Sequence, residues 1–517
     1  MRNLQMTPIP AGRDGINRSK NLELLRPSHL AYADGISTER DVFEKIPGAS
    51  KINTVALAGA VLGHWDFVFG TPATQELVAS YDDGATAKLV TVNAGGVDKT
   101  LKTGLTTGGF PWFVEGWTGS QKALYLYNGL DPVQEYLGGA NSSDIAKPAG
   151  DWATFKPTAA GSSRDRMIAW GNTNFPHSLY CSIPGVHNDF SGPESAVERM
   201  YPGEGEKITA GLFWRDKFFI GKSPQGIYYL DDTDPSIANW DHARVTTSIG
   251  TGGPGCMLAL DNDVLILGTD GYFYALSQIR TLGQIEVPPF LPIETAQFLK
   301  EKLNLAALDK VRSVWFGYKR QAWFAVPTGA STVCNAIIIL DLHEAGNPKF
   351  LYSSRDVCPA LTMRRGSLTA VRKPSFGDTD GFIWQGDQTA RNKDGGAYTA
   401  QYETIPVAVV PGAVYRANLA ELQVVMSPQG NYDLTLEVDR DGQVGQTLAF
   451  SMQTPGAAVG SISLDADVLA GQTIANVKHR LEGDCHFIKL LGKNENANEN
   501  FAVMSHLVRW GPGNESP

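Results

Sequence analysis

Three closely spaced carboxylate pairs are the residues best placed by type and spacing to do chemistry: Asp82/Asp83, Asp231/Asp232 and Asp378/Asp380. Two acids flanking a glycosidic bond could act as general acid and base. Each pair, however, adjoins Gly, Thr or another turn-former, so the sequence reads them as turn-capping side chains exposed to water. Asp439-Arg440-Asp441-Gly442 and Asp378-Thr379-Asp380-Gly381 look like pieces of calcium loops but lack the further acidic ligands and the closing Glu, and they read as hairpin turns. Gly250-Thr251-Gly252-Gly253-Pro254-Gly255 has no Lys-Ser/Thr after it and no helix, so it reads as an inter-strand connection rather than a phosphate loop. There is no Gly-x-Ser-x-Gly elbow and no intact S-x-D-x-G-x-T-W box. No catalytic, cofactor-binding or metal-ligating residue is assigned on these grounds, and the expectation is that the chain is not an enzyme.

Cys181, Cys256, Cys334, Cys358 and Cys485 are scattered, without a CxxC pair or a His at ligand spacing, and read as reduced core thiols. The nine His are equally dispersed. Phe110-Pro111-Trp112-Phe113-Val114-Glu115-Gly116-Trp117 is an aromatic run that suits either a core or subunit interface or a sugar-stacking platform, with core or interface the stronger reading. A net charge of −10 argues against general affinity for nucleic acid through phosphate contacts, yet leaves room for DNA passing through a repelling channel. No run approaches the roughly eighteen apolar residues of a membrane span, and Met1 to Gly15 shows no apolar signal stretch, so a soluble protein made in a cytoplasm is expected.

The elements that must carry these residues are strands. With 55 Gly, 29 Pro and 42% hydrophobic residues, the chain has many turns and enough apolar surface for a large core. Residues 1–55 carry eight basic and six acidic residues with little apolar period, and are expected to form an extended N-terminal arm. From residue 56 a unit recurs about every 40 to 55 residues: an apolar strand, a turn on Asp, Asn or Gly, then an aromatic-rich strand. Leu212 to Gly221 followed by Gly226 to Leu230, Val264 to Leu276, and Ser313 to Val326 are instances. That period fits the four-stranded blades of a β-propeller. A series of two-sheet sandwiches would use the same hairpins, but no linker interrupts residues 60 to 388. The sequence therefore predicts an all-β chain: a multi-bladed propeller over 56–388, of about seven blades with six to eight allowed, and a C-terminal β-sandwich over 389–517 with a flexible tail. One helix of about three turns is expected over Pro292 to Leu308.

The order of these motifs resembles the β-propeller tail proteins of short-tailed bacteriophages that form the tail hub or nozzle. Asp14-Gly15-Ile16-Asn17, Ala33-Asp34-Gly35-Ile36 and Glu44-Lys45-Ile46-Pro47-Gly48 are similar to the family's N-terminal arm, with Ala33 where the pattern has Asn. Tyr127-Asn128-Gly129-Leu130-Asp131-Pro132-Val133, Asp151-Trp152, Ser178 to Ser182, Ile208 to Leu230, Asp263 to Gly271 and Asp380 to Asp387 resemble its blade strands. The resemblance implies a virion structural protein without cofactor or catalysis, in a ring of six subunits that extends the DNA ejection conduit. Its expected neighbours are the portal and head-to-tail adaptor above, tail fibres or a tail needle, and genomic DNA passing without specific binding. It would be made in the host cytoplasm and reside in the virion tail. An acidic conduit surface suits that role because it repels phosphates, and abundant aromatics suit head-to-tail ring interfaces. The alternatives are a propeller glycan hydrolase or depolymerase, and a non-enzymatic receptor-binding propeller.

Overall fold

The computed structural model describes residues 4–10, 16, 28–37, 42–145, 155–201, 207–234, 236–282, 288–291, 293–343, 348–354, 357–410, 415–427, 432–452 and 475–512. Asp14, Gly15, Asn17, Asp151-Trp152 and the tail residues 513–517 lie outside them. The chain divides into two compact units: residues 51–338 with 356–386, and residues 1–50 with 339–355 and 387–517.

Among the described residues, seven small antiparallel sheets, six of four strands and one of three, have their first strands in the first unit. The sheet nearest the N-terminus shows why the sequence folds this way. Its strands Ala60–Phe69, Thr74–Asp82, Ala87–Asn93 and Gly96–Leu105 pair in chain order. The turns between them are set by short polar side chains: Asp83 Oδ1 accepts from Ala85 N (3.0 Å) and Thr86 N (2.8 Å), and Asn93 Oδ1 accepts from Gly95 N (2.7 Å). Gly84 and Gly96 supply the positive φ that those turns need.

The first strands of the seven sheets are β1 (Ala60–Phe69), β2 (Trp112–Trp117), β3 (Ala159–Ser163), β4 (Lys207–Trp214), β5 (Met257–Ala259), β6 (Arg312–Phe316) and β7 (Ala360–Arg365). Each lies against the next, and β7 lies against β1, so the sheets close into a circle. This is a β-propeller, with β1 to β7 innermost. Apolar clusters fill the spaces between sheets; Ile168, Trp170 and Leu179 of the third pack on Phe218, Ile220 and Tyr228 of the fourth.

Hydrogen bonds staple each junction, through side chains at all but one. Trp65 Nε1 donates to Glu115 Oε1 (3.1 Å) between the first and second sheets, and Trp112 Nε1 to Ala160 O (2.9 Å) between the second and third. The Ser163 hydroxyl donates to Asp232 Oδ2 across the next junction, followed by Arg215 Nη2 to Asn262 O (3.2 Å) and Trp315 Nε1 to Asp261 Oδ1 (2.9 Å). Cys358 N donates to Cys334 O (2.9 Å), and His64 Nε2 to Ser375 Oγ (2.9 Å) completes the circuit.

The expected single helix over Pro292 to Leu308 is two pieces. A helix spans Ile293–Lys302 and a 3-10 segment Leu305–Lys310, because Asn304 adopts an extended conformation and its side chain caps Ala306 N. A second short helix, Leu276–Leu282, follows the three-stranded sheet. No helix among the described residues is long and apolar enough to cross a membrane.

The second unit is a pair of sheets. One contains Ile36–Ser37, Phe43–Lys45, Ala502–Pro512, Ala417–Met426 and Ala475–Arg480, with Gln5–Pro10 also paired to Ala502–Pro512. The other contains Leu30–Asp34, Ala400–Thr404, Phe487–Asn494, Asp433–Arg440 and Gln443–Ser451. Where an extended arm was expected over 1–55, the described segments are largely strands: Gln5 pairs Trp510 and Leu30 pairs Thr404 in these sheets, and Gly48–Lys51 is the fourth strand of the last propeller sheet. Between the sheets, Phe43 stacks on Tyr402 at 4.7 Å and the Tyr402 hydroxyl meets His506 Nε2 at 2.9 Å.

Candidate binding channel

The innermost strands of the propeller line a concavity at its axis. The innermost strands keep small residues where they converge. A Cβ added to Gly63 would sit 2.5 Å from Pro111 Cγ, and one on Gly211 2.9 Å from the Phe218 ring. Beyond that constriction the strands spread around a cavity of about 550 Å³, walled by Trp65, Trp112, Phe113, Phe213, Met257 and Trp315. A second compartment of about 220 Å³ shares Trp112, Pro254 and Arg312 with it, and is lined further by Phe110, Lys207, Asp309 and Lys310. Largely apolar walls with a few polar groups are the usual composition of a small-molecule site.

In the larger compartment the polar groups are already engaged. Glu115 takes the Trp65 indole on one oxygen and Lys122 Nζ on the other (2.8 Å). Asp66, only 4% exposed, accepts from Gln75 Nε2 (2.7 Å) and from Arg365 N (3.1 Å). His64 is buried, and burial followed by the charge of Arg364 lowers its pKa to about 3. Since the Ser375 hydroxyl donates to Trp384 O (2.8 Å), it receives the proton of His64 Nε2. His64 Nδ1 is then a buried acceptor with no partner. This arrangement favours binding and positioning, because the oxygens of both carboxylates are already occupied by donors.

The sequence candidates fall elsewhere. Asp82 Oδ1 accepts from Gly84 N (2.8 Å), Asp231 receives the Thr233 amide and hydroxyl, and Asp232 meets Ser163 and Arg164. Asp378 accepts from Asp380 N (2.9 Å), Phe382 N (2.8 Å) and Trp384 Nε1 (2.7 Å). Asp439 pairs with Lys489, while Asp441 accepts from His486 N and Phe487 N. These are turn and staple contacts, and they bring no two candidate pairs together. Gly250 to Gly255 is a close-packed connection ending in a 3-10 turn at Pro254–Cys256; a Cβ on Gly255 would meet Val311 O at 2.2 Å. All five cysteines are buried and none forms a disulfide, and burial raises the thiol pKa of Cys256 to about 11 and of Cys334 and Cys485 to about 12. Among the described residues, no group of three or more His, Cys, Asp or Glu stands where it could hold a metal ion.

Of the aromatic run, Phe110 lines the smaller compartment, Trp112 lines both, and Phe113 and Glu115 line the larger, whereas Trp117 is 45% exposed. Sequence reasoning missed Lys207, Lys310, Arg312 and His64. The one available signal was Arg312, a cation opening a strand of otherwise apolar and small residues.

No family model and no curated protein matches the chain. Solved structures resemble it at low identity. A computationally designed protein, Ika8, is 10% identical with a TM-score of 0.37, over 66% of this chain and 99% of that one. BamB from Moraxella catarrhalis is 10% identical at 0.35, over 74% and 99%. YCF48 bound to D1 peptide is 11% identical at 0.35, over 66% and 97%. BamB and YCF48 are β-propellers, and similarities of this size say nothing about activity.

Proposed function

We propose that the chain is a structural subunit of a bacteriophage tail, a hub or nozzle protein that assembles with copies of itself, in a ring of six, around the DNA ejection conduit. The observation that carries this reading is how the propeller uses its polar side chains. Asp66, Glu115, Asp232, Asp261 and His64 are held in hydrogen bonds that join one sheet to the next, and Asp83, Asp231 and Asp378 in turns. Side chains committed in this way stiffen a scaffold, since a staple across a junction resists sliding of one sheet on its neighbour. The net charge of −10 suits a part that lies beside DNA without retaining it. Seven innermost strands in a closed circle fit seven blades, and the two-sheet unit would supply subunit or fibre contacts. Portal, adaptor and tail fibre or needle are the partners of this reading, and the virion tail is its location.

The test is the assembly state of the purified full chain by mass photometry, together with its detection in virions. Rings and virion incorporation support the reading, and a strict monomer absent from virions sinks it. A second reading rests on the aromatic walls of the larger cavity, which suit stacking against a sugar. Release of reducing ends from host polysaccharide would favour a hydrolase, and saturable host-cell binding without release would favour a receptor-binding propeller.

A further inference from the structure

The smaller axial compartment has an uncompensated charge. Arg312 is only 6% exposed and forms no ion pair among the described residues. Its protein acceptors are all backbone carbonyls: Nη1 to Val311 O (3.0 Å) and Lys310 O (3.4 Å), Nη2 to Pro111 O (3.4 Å). One Nη2–H and the Nε–H have no protein acceptor. Desolvation lowers the guanidinium pKa, outweighing the opposite pull of the nearby Asp309 charge. Its planar face lies near aromatic rings, with the Phe110 centroid at 5.8 Å and that of Trp112 at 5.7 Å.

Two more cations line the same compartment. Lys310 Nζ stands 4.2 Å from the Phe110 centroid and pairs with Asp309 (2.8 Å), which is half-exposed. Lys207, at the start of β4, is exposed and has no carboxylate partner among the described residues. Among the described residues that line it, three cations stand against one carboxylate around about 220 Å³, in a protein whose net charge is −10. A buried guanidinium is tolerated when an anion shares its site, and its fork geometry matches tetrahedral oxyanions.

We infer that this compartment binds a small oxyanion of the phosphate class, held by Arg312 with Lys310 and Lys207 and bordered by the Phe110 and Trp112 rings. The group could arrive as free inorganic phosphate or at the end of a nucleotide, and the chemistry at Arg312 is the same for both. The experiment titrates the full chain with inorganic phosphate at fixed pH and ionic strength, following calorimetric heat and 31P line width. Saturable binding is expected, weakened about tenfold or more in Lys207→Gln/Lys310→Gln, which removes two lining charges while leaving the buried residue in place. Arg312→Lys, which keeps the charge and loses the fork, is expected to weaken binding further than either single lysine variant. Adenosine 5′-monophosphate separates the sources: competition with phosphate assigns a nucleotide-borne group as well, and no competition restricts the site to the free ion. Absence of saturation through millimolar phosphate, equal binding by the double variant, or equally tight binding of acetate would each overturn the inference.

Discussion

Asn53 is where the propeller circle is most directly vulnerable to a single change. It is fully buried, and its side chain makes three hydrogen bonds: Nδ2 to Val55 O (2.8 Å) and to Gly381 O (3.0 Å), and Oδ1 from Ile383 N (2.7 Å). Beside it, Ile52 N donates to Ile383 O (2.8 Å) and Leu57 N to Gly381 O (2.9 Å). This amide is the side-chain part of the stitching that ties the chain entering β1 to the last sheet. Asn53→Ala removes all three bonds, each worth about 1 kcal/mol net, and leaves the Ile383 amide buried and unpaired at about 1–3 kcal/mol more. Gly381 O keeps Leu57 N, so its loss is partial. The total is about 3–5 kcal/mol, or roughly 6–10 °C at about 2 °C per kcal/mol for a unit of this size. Thr54→Val is the matched control. Thr54 Oγ1 reaches Ala94 O (2.8 Å) at the exposed surface, so its loss costs less than about 1 kcal/mol. With two compact units the chain need not melt in one step, so hydrogen exchange at Ile52, Leu57 and Ile383 is the sharper assay. Faster exchange at those amides in Asn53→Ala and not in Thr54→Val is expected. Unchanged exchange there, with a melting shift below about 1 °C, would refute the idea that this amide holds the closure.

Further outcomes follow from the same contacts. Burial lowers the pKa of His64 to about 3 and of His506 to about 4, from 6.5, so the folded protein keeps both neutral while the unfolded chain takes up protons. Stability from these groups is complete above pH 6.5 and declines as pH falls toward 4 and then 3. Urea midpoints against pH should flatten in that window for His64→Gln, and a slope parallel to the wild type would contradict the assignment. All five thiols are buried, and burial raises the pKa of four of them, so a thiol reagent should label the native protein slowly and completely only in denaturant. Gly381 has φ +88° and a Cβ there would meet Leu57 O at 2.2 Å, whereas Gly84 has φ +86° with open space around it. Gly381→Ala should cost about 2–5 kcal/mol and Gly84→Ala about 1 kcal/mol in denaturant titrations, and equal losses would show that the close approach is not limiting.

What the sequence made legible was local. Leu212 to Gly221 and Val264 to Ala275 read as hairpins because an apolar alternation is broken by a turn residue within reach of both strands, and they are hairpins. Residues 1–55 gave no such signal because their partners lie hundreds of positions away, as in Leu30 with Thr404 and Gln5 with Trp510, and strands of two to six residues carry too little period to reveal a face. The helix over 292–308 was overextended because Asn304 can cap as readily as continue a turn. The axial channel was least visible. Lys310 sits two residues before Arg312, but Lys207 stands about a hundred positions away, and only the closing of the circle places it beside them. Conversely, the Asp pairs drew attention as chemistry and are used in turns, as their Gly and Thr neighbours suggested, but Asp232 and Asp378 are buried where exposure to water was expected.

The most direct test of the proposed role is a cryo-EM reconstruction of an assembled phage particle in which this chain is located. The account predicts a closed ring of copies at the tail, with the acidic chains surrounding the DNA path and the propeller axes distinct from it. Absence of the chain from the particle, or its presence as an isolated copy attached to a glycan or fibre, would contradict it.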